Sequence, residues 1–367
     1  MVRWRSGEVT AVRRRWRGAV ELAVRVAGDQ VRALAYPALV GEPEVGDQVL
    51  LNTGALHMGL GTGGYAFVVA VPDRLPADPP FGADRDHGHL VKARYTPLQT
   101  IGLAVDEDAS PHRPRMLAAE ALGGAALDSM PVVLADLHSA LPPILAGVHA
   151  GRPDARVAYV MTDGGALPAW FSRSLDALAG RLVGVVTAGQ AFGGDLEAVN
   201  LHSALIAARA VLDAEVTIVA QGPGNAGAGT AWGFSGAAVG EAVNAVSVLG
   251  GRPVGSLRIS DADPRPRHLG ISHHSLTAYG TVALRPADLV TPRELPAALA
   301  ALVAPAAARL SPPHRIVAVD TTGLDAALRT SPAPLRTMGR GLEADYWYFL
   351  AAAAAGRHAA ALLDQGA

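Results

Sequence analysis

Glu215-Val-Thr-Ile-Val-Ala220, running into Gln221-Gly-Pro-Gly-Asn-Ala-Gly-Ala-Gly-Thr230, is the stretch that decides the fold. Its first half is apolar without polar alternation, the texture of a strand covered on both faces. Its second half is a glycine loop, and an apolar helical period follows over residues 237–249. Strand, glycine loop and helix together are how α/β folds present backbone N–H groups to an anionic or polar ligand.

The same texture recurs on either side. Short apolar runs at 132–135, 157–161, 182–186, 254–259 and 316–319 alternate with helical periods at 168–178, 196–212 and 296–308. Residues 98–367 therefore read as a doubly wound, mostly parallel α/β sheet of Rossmann-like character. Residues 1–72 differ. They hold five short Val-rich runs broken by Gly18, Gly28, Gly46 and the glycines of 59–64, which predicts a small N-terminal β-barrel, SH3-like or OB-like. Pro76, Pro79 and Pro80 mark 73–97 as a linker. The last helix, over 342–363, carries Tyr346, Trp347, Tyr348 and Phe349, which read as core or as a dimer face.

Composition narrows the chemistry. At 367 residues and a net charge near −2, the chain suits a globular protein with no electrostatic reason to favour a polyanion. The absence of cysteine excludes disulfides, zinc–thiolate sites, iron–sulfur clusters and a cysteine nucleophile. Lys92 is the single lysine among 31 Lys and Arg residues, so any lysine chemistry would fall to it. The N-terminus has no apolar core of a signal peptide, and no run is long enough to span a bilayer; the expectation is a cytoplasmic protein without a membrane partner. Arg13, Arg14, Arg15 and Arg17 surround Trp16 in the first hairpin. They read either as a nucleic-acid platform or as a solvated hairpin edge, and the edge is favoured because no further basic residues extend a groove.

In a parallel sheet, ligands bind beyond the carboxyl ends of the strands. Here the predicted strand ends carry Asp136 and His138, Asp163, then His202, then Gln221 and Asn225, then Asp261 and Asp263. Arg267, His268, His273 and His274 follow. Single aspartates there have a plain explanation as helix caps, which fits Asp136 and Asp320. Histidine at three such ends does not. His268, His273, His274 and Asp163 are the candidate catalytic groups, acting as general acid and base. His138, His202 and Asp261 are candidate ligands for a divalent metal, which is the only cofactor suggested. Buried structural histidines remain the third reading. His87 and His89, in the linker, offer a further, weaker metal pair.

Gly222, Gly224, Asn225, Gly227 and Gly229, with Arg267 as an anion clamp, are the candidate ligand-binding residues. The spacing Gly222-x-Gly224-x-x-Gly227 matches a dinucleotide fingerprint, but the helix does not open at once and no acidic ribose partner ends a following strand. Ser235 lacks the strand and final glycine of a nucleophile elbow. Arg258, inside a strand, reads as either a ligand group or the partner of a nearby Asp.

The glycine loop, followed by Arg258-Ile-Ser and by His268-Leu-Gly-Ile-Ser-His-His-Ser-Leu-Thr277, resembles a bacterial family of uncharacterised proteins over most of the chain. The resemblance implies that the two segments act as one unit and implies no activity. The expectation is an enzyme, a hydrolase, acting on a small polar or phosphorylated ligand at the strand C-termini, with a homo-oligomer open. The alternative is a non-enzymatic metabolite sensor whose Arg/Trp barrel contacts nucleic acid or a protein partner.

Overall fold

Valine-rich strands at the N-terminus close on themselves. They are β1 (Trp4–Trp16), β2 (Ala19–Val26), β3 (Asp29–Ala35), β4 (Gln48–Asn52) and β5 (Ala66–Ala70), in the barrel order β1-β2-β3-β5-β4. The computed structural model describes residues 2–77 and 88–365. The chain forms two units, Met1–Arg85 with Trp170–Asp176, and Asp86–Ala169 with Ala177–Ala367.

The barrel closes because β1 is long enough to pair twice, with β4 through residues 4–8 and with β2 through 8–16. Two register shifts bend its second half. Gly7 sits where the backbones crowd: a Cβ there would lie 2.6 Å from Val24 Cγ1 and 2.8 Å from the Arg25 carbonyl oxygen. β3 and β5 run parallel, so of the two barrel types expected this order is the OB-like one. Val9, Leu22, Val24, Ala33 and Leu51 fill the interior.

A second buried cluster in this unit holds Trp16, Tyr36 and Tyr65, with Trp170 and Phe171 packed against it. Trp16 Nε1–H donates to the Trp170 carbonyl at 2.7 Å. The stretch expected to be a crossover helix therefore belongs mostly to the first unit, with a 3-10 turn at Ala169–Phe171 and a short helix at Arg173–Ala177. Trp16 is 8% exposed, so its ring offers no open face for a base to stack on. Arg15 pairs with Glu42.

In the second unit, β6 (Leu90–Lys92) and β7 (Thr100–Gly102) form an antiparallel pair, β6 lying inside the stretch read as linker. Lys92 is buried, its ammonium donating to the Gly189 carbonyl and lying 3.6 Å from the Glu197 carboxylate. The main sheet takes β8 (Pro131–Leu134), β9 (Val157–Thr162), β10 (Gly184–Ala188), β11 (Leu196–Ala198), β12 (Val216–Gln221) and β13 (Arg252–Ser256). A two-stranded pair, β14 (Ile259–Ser260) with β15 (Gly270–Ile271), precedes its last strands, β16 (Asp288–Pro292) and β17 (Arg315–Val319).

The order is β11-β10-β9-β12-β8-β13-β16-β17, parallel throughout. From β8 the chain winds outward through β9, β10 and β11, returns to insert β12 between β9 and β8, and continues outward on the other side. That reversal is a topological switch, where the loops leaving the carboxyl ends part to opposite faces and leave a crevice. β8, β9 and β12 are buried along nearly their whole length, as their unbroken apolar runs require.

Behind the sheet, the helix Tyr346–Leu363 packs along the helix Leu141–Gly151 with backbone against backbone. A Cβ on Gly147 would overlap the Ala353 carbonyl oxygen, and one on Gly356 the Ile144 carbonyl oxygen. Tyr348 and Phe349 are core, while Tyr346 and Trp347 are half-buried. Among the described residues no helix is long and apolar enough to cross a membrane.

Candidate functional site

The switch point opens into a cavity of about 330 Å³ beyond the carboxyl ends of β8, β9, β10 and β12. Its walls are mainly aliphatic, and its polar groups include Asp136, Asp163, Asn200, His202 and Gln221. Asn200 is fixed as the cap of the helix Leu201–Ala210, where its side chain accepts from the Ser203 N–H at 3.1 Å. Asp163, exposed, accepts from the Gln190 N–H at 2.8 Å. Gln221 is buried, and its Nε2 donates to the Asp136 carbonyl at 2.8 Å and to Asn225 Oδ1 at 3.2 Å. The buried Gln221 Oε1 and Asp136 Oδ2 have no hydrogen-bond partner.

Next to this cavity stand three histidines. His268, His273 and His274 each offer a ring nitrogen, and these atoms lie within 4.8 Å of one another. The ring centroids are 4.4 to 4.9 Å apart. Ser272 organises them: its Oγ is 2.7 Å from His268 Nδ1 and also accepts the His274 N–H, capping the helix His273–Thr277. Phe234 stacks on His274 with centroids 3.9 Å apart and planes at 1°. His274 Nδ1 is 3.4 Å from Asp136 Oδ2, too far and too poorly aligned for a good hydrogen bond. Burial, reinforced by the neighbouring cations, pushes His268 down to about 3 and His273 to about 4, so both rings are neutral near pH 7.

The loop leading to His268 is held by a saturated ion cluster. Asp263, fully buried, accepts from Arg258 at 3.1 Å, from Arg265 twice at 2.9 Å and from Arg340 at 3.1 Å. Arg340 reaches Asp345 at 2.7 Å, and the Ser260 hydroxyl donates to Asp345 at 2.7 Å. Burial opposes the Asp263 charge, but the guanidinium hydrogen bonds outweigh it and hold the carboxyl well below its ordinary range. Arg258 is thus the partner of a nearby aspartate rather than a ligand group.

Among the described residues His268, His273 and His274 are the one grouping of three possible metal ligands, and His138, His202 and Asp261 are not in it. The His138 ring turns into the core, Nδ1 lying 3.0 Å from the Tyr159 hydroxyl, and burial pushes it down to about 4. His202 is exposed at the cavity wall, and Asp261 is exposed on its loop. His87 lies outside the described residues, while His89 pairs with Glu107 at 2.5 Å.

The glycine loop is an excursion folded on itself. Gly227 bridges Phe234, the Ala228 N–H donates to the Gly233 carbonyl at 2.7 Å, and the Ser235 N–H to Ala226 at 2.9 Å. Gly222 N–H is spent on Thr162, and Asn225 Oδ1 accepts from Ser235 Oγ at 2.7 Å. The helix opens only at Ala238, so these N–H groups do not lie at its N-terminus. Gly224 and Gly229 have φ of 98° and 79°, the left-handed turns that let the loop double back. Exposed Arg267 brings its guanidinium beside Gly229, so the loop and the histidine segment do meet.

Residues 32–356 match a family described as a protein of unknown function (DUF3866). The chain belongs to that family. No curated protein and no solved structure matches it.

Asp136, Phe234 and Ser272 of this DUF3866 member were not picked out from sequence as site residues. Asp136 read as a helix cap, yet the next helical turn begins after Leu137 and leaves the carboxyl beside His274. The one available signal was Ser272 placed directly before two histidines.

Proposed function

We propose that the protein is an enzyme that hydrolyses a small polar or phosphorylated molecule held in the cavity at the switch point. The observation that carries this is Asp136. It is buried, it lines the cavity, and it also faces His274. A buried polar atom without a partner costs about 1–3 kcal/mol, so the unpartnered oxygens of Asp136 and Gln221 favour a ligand or water that completes them. An imidazole beside a carboxyl can take a proton from water as the oxygen adds to the scissile centre, then return it to the leaving group.

A thermal-shift screen of the full chain against sugar phosphates, nucleotides and short carboxylic esters tests the reading, because a bound ligand raises the melting temperature by mass action. A compound that shifts the wild type, is cleaved by it, and fails on Asp136→Asn is the expected result. If no compound of these classes shifts the melting temperature, the proposal falls.

A further inference from the structure

We propose that His268, His273 and His274 bind one divalent transition-metal ion of the zinc class. In this arrangement Asp136 backs His274 and Ser272 backs His268. Three observations converge on it. First, adjacent residues at the start of a helix normally diverge, yet the His273 and His274 rings turn to one point with centroids 4.4 Å apart, and His268 joins them from the preceding turn. Second, among the described residues none of the three rings hydrogen-bonds another, and buried polar nitrogens normally have a partner. Instead, His273 Nε2 is buried without a hydrogen-bond partner. Third, the outer partners of a metal site are in place. Ser272 holds the His268 ring through Nδ1, leaving its Nε2 for the ion, and a carboxyl stands behind His274, the arrangement that fixes the ring of a metal-bound histidine.

The donor set names the ion class. Three imidazoles without a first-rank oxygen suit zinc, copper, iron or nickel, whereas magnesium and calcium take oxygen ligands. Tetrahedral Zn–N bonds of about 2.0–2.1 Å place ligand nitrogens roughly 3.4 Å apart. The present spread of up to 4.8 Å would have to close by ring rotations, and His273, half-buried, is the least enclosed of the three rings. With three protein ligands the fourth position stays open to water or substrate, as in catalytic rather than structural sites. Ion binding stands without the hydrolysis reading; if both hold, His274 is a ligand rather than a free base and a metal-bound water takes over as nucleophile, and only that use rests on the hydrolysis reading.

The test is metal content of the purified full chain, followed by calorimetric titration of chelator-stripped protein with Zn²⁺, Co²⁺ and Mg²⁺. One equivalent of Zn²⁺ or Co²⁺ with no Mg²⁺ uptake is expected. His273→Asn, checked for folding by circular dichroism, should lose at least about 100-fold in affinity, Asp136→Asn about 10–100-fold, and His202→Asn nothing. A folded wild type that takes up neither Zn²⁺ nor Co²⁺ overturns the site, as does undiminished binding by folded His273→Asn. Should His273→Asn not fold, the wild-type titration decides alone. Zinc uptake by a protein that binds no small molecule supports this site and removes the hydrolysis reading, so the two fail separately.

Discussion

Asp263 and Asp136 are both buried carboxyls at the same end of the sheet, and they are finished differently. Asp263 is saturated, with three guanidiniums donating to its two oxygens. Asp136 has an oxygen with no hydrogen-bond partner and faces a histidine across 3.4 Å. The saturated group has no capacity left for a ligand and serves to hold its loop. The incomplete one carries a cost that a ligand or ion can remove. Completeness of hydrogen bonding, rather than burial or residue type, is what distinguishes the two carboxyls.

The largest test of that contrast is Asp263→Ala. It strands buried Arg258 and frees the loop before His268, and should cost about 3–5 kcal/mol in chemical denaturation. A loss under 1 kcal/mol would mean the cluster is not the scaffold described. Asp136→Asn should change stability by less than about 1 kcal/mol, since no good side-chain hydrogen bond is lost, while ligand and zinc affinity fall. If it unfolds the protein instead, Asp136 belongs with the scaffold.

Acid titration sharpens the comparison. Asp263 has a folded pKa below its ordinary value of 3.8, so its contribution is present above that value and lost as pH falls through the folded pKa. His138, neutral when buried, has a folded pKa of about 4 against 6.5. Between these values the unfolded chain binds the extra proton, so stability falls as pH drops from about 6.5 to 4. His268 and His273, pushed down as well, add to the upper window, so denaturation midpoints against pH should show both windows, with His138→Gln making the upper one shallower without removing it and Asp263→Asn flattening the lower. The smallest effect belongs to Arg267→Ala. This exposed residue should change stability within about 0.5 kcal/mol, and a larger shift would show that its place beside Gly229 holds the loop.

The parallel sheet was legible because strands covered on both faces must be continuously apolar, as at Val132–Leu134 and Val216–Ala220. β16 was not, since only Leu289 and Val290 mark it and Asp288 at its start looks like a loop residue until Arg315 and His358 are seen to hold it. The histidine segment was legible by density of titratable groups. Its separation from His138 and His202 was not, because residue type says nothing about which way a side chain faces. Asp136 and Phe234 reach the cluster from β8 and from the loop after β12, contacts with no local signature.

The return of Trp170–Asp176 to the barrel bears on how the chain is made. β5 ends at Ala70, yet the ring cluster of Trp16, Tyr36 and Tyr65 takes its cover from Trp170 and Phe171. At ~5–20 residues per second, a ribosome needs roughly 5–20 s to add the intervening ~100 residues. The barrel strands can pair in that interval while their aromatic flank stays uncovered, so the first unit to emerge is completed only after much of the second has begun to emerge.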